Sequence, residues 1–262
     1  MKDPKAVKEE IRRDYARIAE QGSSCCGPGS AGGMAQHAGY GAEQLGSVPR
    51  EAANASLGCG NPLALARLKP GDKVLDLGSG AGLDLLLASQ YVGPTGKVYG
   101  LDMTPEMIAK GRANLTKAGV SNAEILEGEI EAIPLPEGCI DLVISNCVIN
   151  LTTDKKKAFR EIYRVVKKGG GFSVSDIVTK DLPDEVRAQL PASGCVALAL
   201  EEEDYLAAIR AAGFTEVEVT KRTPFPLTAD GQLASACGCG CDHHGGDPSG
   251  QIISLTVQAK KA

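Results

Sequence analysis

The stretch "VLDLGSGAG", residues 74–82, decides the fold. Val74 to Leu77 form a short apolar run broken only by Asp76, which suits a buried strand. Gly78, Gly80 and Gly82 follow at once. Glycines at such a joint let the backbone turn sharply and let a ligand come close to it. The next run, "LDLLLASQYV" (83–92), predicts an apolar helix whose first N–H groups lack partners within the helix. A second strand, "KVYGLD" (97–102), ends on Asp102. A carboxylate there can accept hydrogen bonds from both hydroxyls of a ribose. Strand, glycine turn, helix and acidic strand end together point to a nucleoside cofactor, whereas the turn alone is also consistent with a tight joint that binds nothing. The dinucleotide fingerprint wants a third small residue where the chain has Leu83, and no Gly-Lys-Ser/Thr of a phosphate loop is present. Asp84 is either a site residue or an electrostatic support for the helix start.

Outward from this unit, strands and helices alternate with short joints. Thr104 and Pro105 carry the signals of a helix start. "AEILEGE" (123–129) and "CIDLVIS" (139–145) predict two more strands. "DKKKAFREIYRVVKKGGG" (154–171) predicts an amphipathic helix ending in lysines and a glycine stop, and "GFSVSDI" (171–177) a fifth strand. The pattern is that of a parallel sheet covered by helices on both faces. After a helix at 203–212 come "FTEVEVTKR" (214–222) and "QIISLTVQAKK" (251–261). They predict a hairpin of two alternating strands, each with a more exposed face, joined by a long loop at 229–250. The expectation is therefore an α/β protein with a doubly wound, Rossmann-like seven-stranded sheet, mostly parallel, its last strand antiparallel. Three parts are expected. Residues 1–70 hold a lid-like helix (3–21) and a Gly/Ser-rich loop around Cys25 and Cys26, residues 71–180 the cofactor-binding core, and residues 181–262 a C-terminal part with the Cys195 segment and the final hairpin carrying a Cys-rich loop.

The chain has 262 residues, 43% of them hydrophobic, which is enough for a sizeable core. A net charge of −5 gives no basic field to attract nucleic acid or an anionic membrane. The charged N-terminus lacks the apolar core of a signal peptide, and no run reaches the length of a membrane span. A cytoplasmic protein is expected, in which nine cysteines serve as ligands or reactive groups rather than as a disulfide scaffold.

Cys147 ends the fourth strand, in "SNCVIN" (145–150). Ligands of open α/β sheets bind beyond the C-terminal strand ends, so Cys147 falls on the cofactor side. Cys59 in "LGCGNP" and Cys195 in "SGCVAL" lie in small, loop-like surroundings. A cysteine is most often a small buried hydrophobe, and that reading stands against each of the three. No histidine lies near the strand ends; His37, His243 and His244 fall in glycine-rich loops. Three thiols without a base suit a thiophilic acceptor that brings its own lone pair, since soft thiolates select soft ions. Trivalent arsenic binds three sulfurs in a pyramid with a lone pair at the apex.

The G-x-G-x-G turn with an acidic strand end resembles the S-adenosylmethionine methyltransferases. With "ASLGCGNP", "VISNCVINL" and "GCVALAL", the stretch from about residue 10 to 222 closely resembles the arsenite methyltransferase family. The resemblance implies that Cys59, Cys147 and Cys195 hold As(III), and that Cys25 or Cys26 enters a redox cycle served by a thiol reductant such as thioredoxin or glutathione. It also implies cofactor contacts at Gly78, Ser79 and Gly80, at Asp102 with Met103, at Glu129 and Ile130 ending the third strand, and at Asn146. Cys237, Cys239 and Cys241, in "CGCGCDHH", suit an accessory arsenite-docking loop; a zinc site and incidental thiols are the alternatives. The expected reaction moves the methyl of S-adenosylmethionine to thiolate-bound arsenic. A methyltransferase for a small organic acceptor and a metalloid-binding sensor or buffer are the rival readings.

Overall fold

The computed structural model describes residues 3–21, 35–36, 38–56, 58–64, 66–183, 185, 196–224 and 252–262. In chain order the elements are helices α1 (Pro4–Gln21), α2 (Ala42–Gly46) and α3 (Arg50–Asn54), then β1 (Lys73–Leu77), α4 (Leu83–Val92), β2 (Lys97–Asp102), α5 (Pro105–Lys117), β3 (Ala123–Glu127) and β4 (Ile140–Asn146). A 3-10 turn (Ile149–Leu151) follows, then α6 (Lys155–Val165), β5 (Val166–Thr179), α7 (Glu202–Ala211), β6 (Thr215–Pro224) and β7 (Ile252–Lys260).

The seven strands form one sheet in the order β3-β2-β1-β4-β5-β7-β6. Strands β1 to β5 are parallel, and β7 runs antiparallel to both β5 and β6, as the alternation of elements predicts. The chain starts at β1, works outward to β3, then returns past β1 to β4. The order reverses between β1 and β4, and their C-terminal ends face the crevice where open sheets bind ligands.

Successive residues of each strand feed two separate apolar layers. Leu75 and Leu77 of β1 and Val143 of β4 join Phe159, Phe172, Tyr205 and Val257 on one face. Val74 and Ile144 join Leu83, Leu86 and Ala52 on the other. In the first layer the Phe159 ring meets Tyr205 edge-on, with ring centres 5.4 Å apart. Among the described residues no helix is long and apolar enough to cross a membrane.

Three details differ from the sequence expectation. Helix α6 stops at Val165, and the lysine-glycine run expected to end it belongs to β5. Long-range pairing overrides the local stop signal: Val166 aligns with Ile140, and Lys167 reaches Asp141 at 2.7 Å. Strand β7 lies inside the sheet between β5 and β6 and is mostly buried, so the more exposed face is found on the edge strand β6 alone. Strand β3 ends at Glu127, which leaves Glu129 and Ile130 in the loop beyond it.

The glycine turn shows why its composition is restrictive. Gly78 has φ +64°, and a Cβ built there would overlap the Val148 side chain, one residue past Cys147. Gly78→Ala is expected to lower stability by about 2–4 kcal/mol, combining left-handed backbone strain with local overpacking. Chemical unfolding of the variant measures this, and an unchanged midpoint would mean that the turn and Val148 relax apart.

Candidate active site

The C-terminal ends of β1, β2 and β4 open onto a cleft of about 1060 Å³, part of it open to solvent. Gly78, Ser79, Gly80, Asp102, Met103, Glu129, Ile130, Asn146 and Cys147 all line it. The residues expected to hold a nucleoside cofactor are thus brought to one wall. Helix α1 lies across the opening with Lys8, Ile11 and Tyr15 on the lining. Its Lys8 pairs with Glu129 at 2.7 Å and Glu131 at 3.0 Å, which fastens the helix to the loop after β3.

Asp102 anchors the turn. One carboxylate oxygen accepts from the Gly80 N–H at 2.9 Å and the other from the Thr104 N–H at 2.8 Å. Each oxygen keeps acceptor capacity for a further donor such as a ribose hydroxyl. Burial raises the Asp102 pKa, and the Thr104 and Gly80 bonds oppose that rise. Two more carboxylates share the cleft. Burial pushes Asp84 up to about 6, against hydrogen bonds from Tyr40 and Asn146. Asp76 is raised well above the usual carboxylate range, first by burial and then by the charges of Asp84 and Asp102.

S-adenosylmethionine carries a sulfonium and an ammonium, and these residues fit it. A buried oxygen of Asp76 and the Ser79 hydroxyl have no protein partner. Three crowded carboxylates favour a cationic ligand. A Cβ built on Gly80, at φ +51°, would find no atom closer than 3.9 Å, so the missing side chain leaves room for a ligand against the backbone.

The thiols stand beside this cleft. Cys147 is buried, with φ +61°. A residue other than glycine costs of order 1–3 kcal/mol in such a conformation, and this strain clusters at functional sites. The Cys147 N–H donates to the Ser175 carbonyl at 2.7 Å. The Cys59 thiol donates to that same carbonyl at 3.8 Å. The Cys59 carbonyl accepts from the Ser254 hydroxyl of β7 at 2.7 Å. One peptide group of β5 therefore gathers both cysteine segments. Around them lies a small apolar cluster of Cys147, Ile177, Leu182, Val196, Ala199 and Ile252, with Cys59 packed against it. Val196 directly follows Cys195. Cys195 itself, Cys25, Cys26, Cys237, Cys239 and Cys241 lie outside the described residues, as do His37, His243 and His244.

Tyr40 bonds two residues of the cleft lining, and no sequence signal marked it. Its hydroxyl donates to Asp84 at 2.6 Å and accepts from the Asn146 amide at 2.9 Å. Asn146 also donates to the Gly60 carbonyl at 2.7 Å and accepts from the Gly60 N–H at 3.2 Å. Tyr40 sits between glycines in a stretch without periodicity, so nothing local reveals that its ring is buried.

Residues 68–213 match a family described as a methyltransferase domain. The arsenite methyltransferase of Halobacterium salinarum is 42% identical over 237 residues, which is 84% of this chain and 60% of that protein. The arsenite methyltransferase of Aquipseudomonas alcaligenes is 34% identical over 88% of this chain and 68% of its own length. The crystal structure of CrArsM, an arsenic (III) S-adenosylmethionine methyltransferase from Chlamydomonas reinhardtii, superposes with a TM-score of 0.69 at 33% identity, covering 84% of this chain and 73% of that one. The chain thus spans about 60% of the haloarchaeal relative's length. With the parallel core, the glycine turn and the Cys147 strand end all inside residues 68–213, this chain belongs to the arsenite methyltransferase family of S-adenosylmethionine-dependent methyltransferases.

Proposed function

We propose that the protein transfers a methyl group from S-adenosylmethionine to As(III) held by Cys59, Cys147 and Cys195. The observation that carries this reading is the Ser175 carbonyl, which fastens the Cys147 and Cys59 segments together at the rim of the cofactor cleft. Cys195 is supported as the third ligand by the family resemblance and by Val196, its neighbour, in the apolar cluster with Cys147.

The bound cofactor supplies an electrophilic methyl on a sulfonium. The protein's part is to hold, orient and exclude water. The glycine turn and Asp102 receive the nucleoside. Asp76 and Asp84 offset positive charge. The cysteines bind arsenite by exchanging its hydroxyls for sulfur, which leaves neutral As(III) with its lone pair unengaged. No side chain need remove a proton. Methyl transfer formally raises arsenic to As(V). Two thiolates forming a disulfide return the two electrons that restore As(III), and a small or protein thiol such as glutathione or thioredoxin reopens the disulfide. Cys25 or Cys26 is the candidate partner in that disulfide. The CGCGC segment, with Cys237, Cys239 and Cys241, is the candidate docking loop. A cytoplasmic setting, where thiols stay reduced, suits this cycle.

Incubation with arsenite and methyl-labelled S-adenosylmethionine tests the assignment directly. Cys147→Ser and Cys195→Ser are each expected to lose nearly all methylation of arsenite while S-adenosylmethionine still binds, because a serine hydroxyl is a hard, poor ligand for arsenic. Near wild-type turnover in either variant would remove that thiol from the site.

Asp102→Ala is expected to weaken S-adenosylmethionine binding by roughly 10- to 150-fold, the equivalent of one hydrogen bond to a charged group. Calorimetry showing unchanged affinity would place the ribose elsewhere.

The raised Asp84 pKa gives a pH dependence. Its ionised form is disfavoured in the folded protein, so its contribution to stability is present below the ordinary carboxylate pKa and lost as pH rises through about 6. A bound cation relieves that cost and expels a proton. Affinity for S-adenosylmethionine should then rise with pH, being roughly fourfold lower at about pH 5.5 than at about pH 7.5. Calorimetry near pH 6, in two buffers of different ionisation enthalpy, should detect proton release on binding. Equal observed heats in the two buffers would show that Asp84 does not titrate with the ligand.

A further inference from the structure

We propose that Tyr40, Asp84 and Asn146 form a positioning latch that ties the Cys59 loop to the wall of the cofactor cleft. This assigns Asn146 a different task from the cofactor contact that family resemblance suggests. Its role in catalysis rests on the methyl transfer proposed above.

The hydrogen bonds have a direction. The Asn146 amide donates to the Tyr40 hydroxyl at 2.9 Å, and that hydroxyl donates to Asp84 at 2.6 Å. The second short bond from the same amide nitrogen goes to the Gly60 carbonyl at 2.7 Å, and the Asn146 oxygen accepts the Gly60 N–H at 3.2 Å. Both N–H donors of the amide are therefore engaged within the protein, and a longer approach to Asp84 at 3.4 Å shares them. None is left over for a cofactor. The fit is close on the other side of the loop as well. A Cβ built on Gly58 would overlap the Asn146 amide, so this loop lies directly on that side chain. Asn61, the residue after Gly60, adds a bond to the Gly39 carbonyl at 3.2 Å, beside Tyr40.

The placement of Asn146 gives the latch its function. It is the last residue of β4 and immediately precedes Cys147. The segment that carries one thiol thus holds the loop that carries another, and Asp84 joins both to the cleft that receives the cofactor. A three-sulfur site needs its ligands prearranged, because each unfastened ligand must be ordered when arsenic binds. The network supplies that order for Cys59 from the cofactor side, while Ser175 and Ser254 supply it from the sheet.

The test uses Asn146→Ala and Tyr40→Phe in the full chain. Three quantities are measured: hydrogen exchange of the peptide spanning residues 58–60, affinity for S-adenosylhomocysteine by calorimetry, and the kinetics of arsenite methylation. The latch predicts that Asn146→Ala speeds exchange of the loop by about tenfold and raises the arsenite KM by about tenfold. S-adenosylhomocysteine affinity should stay within about threefold, and kcat should change less than KM. Tyr40→Phe, which removes one oxygen, should shift the same quantities in the same direction by about threefold, and it carries the test if Asn146→Ala fails to fold. Loss of S-adenosylhomocysteine affinity by tenfold or more in Asn146→Ala overturns the proposal and makes Asn146 a cofactor contact. Loop exchange at the wild-type rate in both variants overturns it too. A wild-type protein that leaves arsenite unmethylated sinks the substrate reading instead, and the exchange and calorimetric measurements still decide the latch.

Discussion

The pairing of β4 with β5, in the register Asn146↔Ser175, is the constraint on which the site depends. A parallel strand pair should end where its chains part. Its last rung here is the Cys147 N–H on the Ser175 carbonyl, and at that same residue the backbone turns into the left-handed region. That carbonyl also accepts the Cys59 thiol from a loop 116 residues away in sequence. One peptide group thus fixes a strained thiol at the strand end and draws a second thiol to it. The strain at Cys147 is tolerated because the surroundings over-determine the residue: a ladder bond on one side, Val148 against Gly78 on the other, and an apolar cluster around the side chain.

A second constraint is electrostatic. Asp76, Asp84 and Asp102 crowd one wall, and each has its pKa raised by burial. A protein selected for stability alone would not bury three carboxylates so close together. The cost becomes useful when the ligand is a cation, because binding returns what folding gave up. The same wall suits the charge change of methyl transfer, in which the sulfonium becomes a neutral thioether. In the proposed reaction, attraction to the carboxylates would be lost as the product forms, which would favour release of the spent cofactor over rebinding.

Much of the fold is legible in sequence because its signals are local. The apolar run of β1, the glycine turn and the acidic end of β2 fall within 30 residues, and each follows from residue chemistry alone. The strand-end position of Cys147 is likewise visible from the run before it. Features decided by distant partners are not. The lysine-glycine run after α6 carries every local mark of a helix stop, yet Ile140 and Asp141 pair it into β5. Strand β7 alternates like a half-exposed strand, yet it lies between β5 and β6 with most residues on both its faces buried. Tyr40 stands 106 residues from Asn146, and only the folded chain shows that one hydroxyl bridges Asn146 to Asp84. The candidate site divides in the same way: the groups that would meet the cofactor each carry a local signal at a strand end, whereas the groups that position the thiols are brought together by the sheet.

The surroundings of the thiols bear on which acceptor they suit. Ile177, Leu182, Val196 and Ile252 make an apolar wall around Cys147. Charge is expensive in such a place unless it is paired. A divalent metal held by three thiolates would leave one net negative charge there. As(III) bound by three sulfurs is neutral, and its binding exchanges S–H bonds for S–As bonds while releasing water. An apolar pocket therefore favours the trivalent metalloid over a divalent cation with the same sulfur ligands. It also keeps water from the lone pair that would receive the methyl group. On the proposed assignment the two halves of the site have opposite character: an acidic cleft for a cationic donor, and an apolar thiol pocket for a neutral acceptor. The end of β4 is where they meet, with Asn146 facing the first and Cys147 belonging to the second.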